Sequence, residues 1–177
     1  MTDAGKVIQT HAQAGAQLEF TRVAIGDGEA PADLGAMTEL VRETRSVLPS
    51  KFQAMELGRV LLRGVFDNQG LLAPLRVREL GLFAIDPTDA TEKLYCYSNA
   101  GEGYDTIPPE GSGAIKEVVY DIHTLVGTAP NVSATLASNV YASADALADL
   151  ETRSEAAVAA LLALTAANTN ERLKGIF

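Results

Sequence analysis

The chain has 177 residues, 47% of them hydrophobic and 21% charged, a composition that fits one globular domain with an appendage and excludes wholesale disorder. Its 23 acidic residues against 14 basic ones give a formal charge of -9, which argues against nucleic acid or an anionic membrane as the main partner, because binding phosphate needs clustered Lys and Arg. One cysteine, Cys96, excludes an internal disulfide framework and any multi-cysteine metal site, and two histidines, His11 and His123, leave little for zinc or acid–base chemistry.

The opening Met1–Lys6 is polar, without the charged-then-apolar layout of a signal peptide, and no apolar run approaches the roughly 20 residues of a membrane span. The expectation is synthesis in a cytoplasm without an export signal. Residues 3–15 predict a short helix capped by Thr2 or Asp3 and ended by Gly15, with Val7, Ile8, His11 and Ala12 on one face. His11 is then a partly buried residue of that face. Leu18 to Ile25 alternates apolar and polar residues, the pattern of a half-buried strand, and Gly26-Asp27-Gly28 stops it. No lysine follows at P-loop spacing and no EF-hand ligand series is present, so the expectation is a tight turn with glycine at positive φ.

Pro31 and Asp33 suit the start of a single helical turn within a loop over 31–41. Residues 43–56 read as extended, interrupted by Pro49, and Val60 to Phe66 as a strong strand followed by the turn Asp67-Asn68-Gln69-Gly70. Leu75 and Val77 alternate with Arg76 and Arg78, but the apolar parity then changes to Leu80, Leu82 and Ala84, which predicts a bulge at Gly81. Lys93 to Ser98 forms the next strand, with Cys96 a small packed residue in it. Residues 99–114 hold four glycines and two prolines and read as a long loop. Strands over 115–126, where His123 faces solvent or a partner, and over 132–136 close the series.

From Ser143 the texture changes to Ala, Leu, Glu and Asn. Leu147, Leu150, Ala157, Leu161 and Leu164 fall on a 3–4 spacing, with Ser154 as a polar member and Asn168 continuing the register. The pattern is that of coiled-coil a and d positions over about three heptads, and a self-associating helix is preferred over one docked on the sheet. The fold expected is therefore α+β: a mainly antiparallel β domain with a short N-terminal helix over 1–141, then an oligomerisation helix over 142–177.

No catalytic constellation stands out. A Gly-x-Ser-x-Gly elbow is absent, and the acidic pairs Asp86/Asp89 and Glu102/Asp105 read as solvated surface charge. No enzyme activity, cofactor or metal is expected. A hydrolase using the acidic loop residues is the weakest alternative. A carbohydrate- or receptor-binding module using Tyr95, Tyr97 and Tyr104 is the stronger one, although the lack of Trp counts against it.

Three stretches, in order, resemble one family. Thr2 to Gly15 followed by Leu18 to Gly28 is similar to the N-terminal domain of phage tail-collar fibre proteins. Val77-Arg78-Glu79-Leu80-Gly81-Leu82-Phe83 resembles that family's Arg-Glu-(Ile/Leu)-Gly-Leu-Phe strand. Leu94 to Gly103 with Ile107-Pro108 resembles its aromatic strand and Pro/Gly loop. The likeness covers about residues 2–140. It implies a structural component of a phage tail, prophage or related contractile injection particle, made in a bacterial cytoplasm and residing in the virion tail. It further implies a homotrimer, joined through the C-terminal coiled coil, that attaches to tail baseplate proteins and mediates assembly and host attachment. The common form carries a long shaft and receptor-binding tip, which this sequence lacks, so a fragment or a short adaptor holding a distal fibre subunit is expected. Within the 99–114 loop, Tyr104, Ile107, Pro108 and Pro109 are the expected contacts with a baseplate neighbour, because aromatic and apolar groups anchor interfaces.

Overall fold

A computed structural model describes residues 1–113 and 116–138. The chain begins with helix α1 (Asp3–Gln13), and the Thr2 hydroxyl accepts a hydrogen bond from Gly5 N at 3.0 Å as its N-cap. The same hydroxyl donates to Leu94 O, and Thr2 N donates to Tyr95 O at 3.1 Å. One residue thus satisfies the helix end and ties it to a strand ninety residues away. Asp3 suits the positive end of the helix dipole, and Gly15 at φ 105 ends the element. Gly5, Ile8 and Ala12 form the buried face, whereas Val7, expected on it, is half exposed.

Ten strands follow in the described residues: β1 (Leu18–Gly26), β2 (Glu43–Val47), β3 (Lys51–Met55), β4 (Arg59–Asp67), β5 (Leu75–Val77), β6 (Glu79–Ile85), β7 (Glu92–Asn99), β8 (Asp105–Ile107), β9 (Glu117–Leu125) and β10 (Val132–Ala134). The main sheet runs β10-β1-β6-β7. β2 joins the C-terminal half of β1, while β10 lies parallel to its first three residues. A second sheet runs β3-β4-β9, and β5 and β8 form a short ribbon. Every pair except β1/β10 is antiparallel.

This corrects the expected α+β class. One helix of 11 residues makes no layer of its own beside ten strands, and the described residues form a mainly antiparallel β domain. The C-terminal helix and its seam, Leu147, Leu150, Ala157, Leu161, Leu164 and Asn168, lie outside the described residues.

The core follows from strand alternation. Phe20, Val23 and Ile25 of β1, Leu62 and Phe66 of β4, Leu82 and Ala84 of β6, Tyr95 of β7 and Ile8 of α1 belong to one buried cluster. Phe20 and Tyr95 meet edge to face at 5.1 Å between ring centroids. Where β4 crosses β1, a methyl on Gly64 would stand 2.9 Å from Val23 Cγ1, so the close approach of the two strands requires glycine. The other face of the main sheet is also covered. Ala24, Phe83 and Leu94 pack against Met37 and Leu40 from the segment linking β1 to β2. That segment contains no helical turn. Asp33 Oδ1 instead accepts from Gly35 N and Ala36 N, an Asx turn that competes with helix.

The parity switch near Gly81 has a different origin from the bulge expected there. β5 and β6 belong to different sheets, and the chain crosses between them at Arg78, whose N–H bonds Gly26 O at 2.9 Å. Irregularities do occur one to two residues on: register slips between Leu82 and Phe83 against β7, and between Phe20 and Arg22 on β1. Gly81 serves Leu40, whose methyl occupies the space a side chain there would fill.

Candidate functional site

The end of the main sheet where β1 stops and β6 starts gathers most of the polar chemistry. Glu79 opens β6 and is fully buried. A buried carboxyl is tolerated only if its lone pairs find donors. Here Oε2 accepts from Gly28 N and Arg42 N, both at 2.9 Å, and Oε1 accepts from Val41 N at 2.8 Å and from the Tyr97 hydroxyl at 2.9 Å. Asn99 Nδ2 completes the knot, donating to Tyr97 Oη at 2.9 Å and to Gly28 O at 3.1 Å. Burial foremost, with Glu79 beside it, pushes the Tyr97 hydroxyl up to about 12. The phenol therefore stays a donor at any ordinary pH.

This knot accounts for Gly26-Asp27-Gly28. Neither glycine has a positive φ, contrary to the expected turn. A Cβ on Gly26 or Gly28 would stand 2.5 or 2.6 Å from Glu79 Oε2. Glycine is needed because the carboxylate lies against the backbone. Asp27, between them, points away and pairs with Arg42 Nε.

Beside the knot lies an open cleft of about 330 Å³ lined by Asp27, Arg42, Pro74, Arg76 and Arg78. Arg78 is adjacent in sequence to Glu79 and points to the cleft side. Its Nη1 and Nη2 reach Glu29 and Glu102, each at 3.2 Å, whose side chains are 88% and 87% exposed. Its Nε is buried without a hydrogen-bond partner. The Tyr104 ring lies under both guanidinium groups, 5.1 Å from that of Arg78 and 5.5 Å from that of Arg76.

The expected neighbour-binding loop is stitched to the domain. β8 pairs with β5, setting Asp105, Thr106 and Ile107 opposite Val77, Arg76 and Leu75. Ile107 is fully buried and belongs to the core, so it offers no contact surface, a correction the apolar side chain itself explains once the strand pairs. Tyr104 is half-buried under the two arginines, and Pro108 and Pro109 are half-buried. Pro109 O accepts from Asn68 Nδ2 at 3.3 Å, Glu110 N donates to Leu71 O, and Glu110 Oε2 accepts from Gly70 N. A single 3₁₀ turn at Glu110–Ser112 follows. Sequence reading missed β8 because three residues between glycines and prolines carry too little periodicity.

Elsewhere the polar groups have structural roles. Asp86, expected to be solvated, is buried, and with Asp89 it grips Lys93 Nζ at 2.6 and 2.8 Å. Cys96 is packed. Burial pushes its thiol up, the opposite of what a nucleophile needs. His123 is exposed on β9, and His11 is half-buried on α1. Among the described residues, no cluster of His, Cys, Asp or Glu is arranged to hold a metal, and no helix is long and apolar enough to cross a membrane. Sequence reading also missed Glu79 as an organising residue. The available signal was an acid opening an otherwise apolar strand, with two closely spaced glycines upstream.

Comparison with known protein families, with curated proteins and with solved structures finds no match to this chain.

Proposed function

We propose that the chain is a structural component of a phage tail or related contractile particle, a tail fibre or fibre adaptor whose N-terminal domain attaches to the baseplate. One observation carries the reading. The three stretches that resemble tail-collar fibre proteins are far apart in sequence, yet one part of each meets the others at one end of one sheet. The Gly26–Gly28 turn, the Arg78–Phe83 strand and the Tyr97–Asn99 strand end are joined by the hydrogen bonds of Glu79 and Asn99. A chance likeness of three short motifs gives no reason for such mutual dependence. Four motif positions have a reason in the knot: Gly26 and Gly28 for close approach, Glu79 as acceptor and Tyr97 as donor.

In this reading attachment uses no reacting group. The domain presents a rigid end, and residues 142–177 assemble three copies through Leu147, Leu150, Ala157, Leu161, Leu164 and Asn168. Burying their apolar seam would contribute roughly 25 cal/mol per Å². The test is light scattering of the purified full chain. A trimer that becomes monomeric when Leu161 and Leu164 are both changed to Ser supports the proposal. A monomer at high concentration that binds sugars in a glycan screen points instead to the receptor-binding alternative.

A further inference from the structure

The arginine cleft is unusual for this chain. Acidic residues exceed basic ones by nine, yet Arg42, Arg76 and Arg78 line one 330 Å³ cleft. Their present partners differ in how firmly they hold. Arg42 is paired with Asp27. Arg76 makes no ion pair among the described residues and has only the Tyr104 face. Arg78, whose side chain is only 13% exposed, is met at 3.2 Å by two separate carboxylates, each almost wholly in water. Exposed ion pairs of that length contribute little, because water screens them and the long Glu side chains lose entropy in holding the geometry. The buried Nε of Arg78 remains unsatisfied besides. A guanidinium fixed on an aromatic face and gripped by no bidentate partner is a preorganised site for a planar carboxylate.

We propose that this cleft is a docking socket for the acidic side chains of a partner polypeptide, with Arg78 held in the free protein by Glu29 and Glu102, which do not line the cleft. An incoming carboxylate displaces these two, forms a forked pair with Arg78, and gains Arg76 as a second cation. A carboxylate suits the socket better than a phosphate. The exchange replaces one carboxylate with another, whereas a phosphate dianion would bring a second negative charge into a cleft that Asp27 also lines. The inference rests on the cleft residues alone and stands apart from the attachment reading.

A fluorescent hexaglutamate peptide tests it by anisotropy with the full chain at low ionic strength. The expected result is saturable binding that weakens with salt. Arg76→Gln with Arg78→Gln should weaken it at least about tenfold, the loss expected for a forked charge pair. Arg76→Gln alone, at an exposed position, guards against misfolding and should weaken it severalfold with an unchanged melting temperature. Glu29→Gln with Glu102→Gln should tighten binding severalfold, because the competitors are gone. Glu56→Gln with Glu117→Gln changes the net charge equally at exposed positions away from the cleft, and should leave affinity unchanged. The proposal is overturned if hexaglutamate fails to bind, if the two glutamine pairs act alike, or if inorganic phosphate competes better than free glutamate.

Discussion

Arg78 and Glu79 are neighbours in sequence and opposites in situation. The Glu79 carboxyl is fully buried and meets four donors from residues 28, 41, 42 and 97. The Arg78 guanidinium faces the cleft, meets two exposed carboxylates at 3.2 Å, and keeps one buried nitrogen unpaired. A buried charge whose partners are mostly main-chain amides has no alternative partner and holds the fold. A charge at a rim with solvated partners contributes little to the fold and is free to change partners. The strand crossover at Arg78 puts both situations side by side.

The largest effect should come from breaking the closed side. Glu79→Ala leaves three main-chain amides, one of them buried, and a phenol without an acceptor, and should destabilise the domain by on the order of 3 kcal/mol. Urea unfolding followed by circular dichroism measures it. A loss below about 1 kcal/mol would mean that water replaces the carboxylate at little cost. Next in size, Gly28→Ala forces a methyl to within 2.6 Å of Glu79 Oε2 and 2.7 Å of Val41 Cβ. About 2 kcal/mol of destabilisation is expected, as for overpacked cores. The double variant Glu79→Ala/Gly28→Ala should lose less than the sum, since the clash with the carboxylate is then gone and only that with Val41 remains.

At the helix start, Thr2→Ala removes the cap and its bonds to β7 and should lower stability by about 1–2 kcal/mol. Acid should act on the exposed pairs before it acts on the cores. Arg63 hydrogen-bonds Asp121 through both carboxylate oxygens, at 2.7 and 2.8 Å, and holds its pKa below the usual carboxylate value, against partial burial. A carboxyl lowered in the folded state contributes stability above its unfolded value, near pH 4, and loses it as pH falls through the folded value. Unfolding midpoints should therefore drop below about pH 4, and Asp121→Asn should flatten that drop. A slope unchanged by Asp121→Asn would remove the pair from the explanation. The smallest effect belongs to the open side. Arg76→Gln should leave stability within about 0.5 kcal/mol, as for surface changes generally, and a larger loss would place Arg76 with the closed knot.

Much of the frame was legible in the sequence because periodicity and caps are local. Of the two cap candidates Thr2 is the N-cap, and the strands over Leu18–Ile25 and Val60–Phe66 and the turn at Asp67–Gly70 stand where their patterns put them, although β1 is buried on both faces from Val23 on, where Met37 and Leu40 cover it. The knot was not legible, because its donors come from segments that approach one another only after the sheet forms. Gly26 and Gly28 were visible, but their purpose depends on Glu79 fifty residues later. The burial of Ile107 was hidden for the same reason: β8 is a strand only because β5 lies beside it. The alternation of Arg76 and Arg78 with Leu75 and Val77 was visible in the sequence, but Arg78 sits at the crossover between two strands, and Tyr104 and Asp27 come to the arginines from other elements.

The proposed attachment role stands or falls most directly on where the chain resides. Tail particles purified by density gradient from cells that encode it should contain the full chain, retained through high-salt washing and detected by mass spectrometry alongside sheath and baseplate proteins. Recovery of the chain only from the free protein fraction, with intact particles lacking it, would contradict the account.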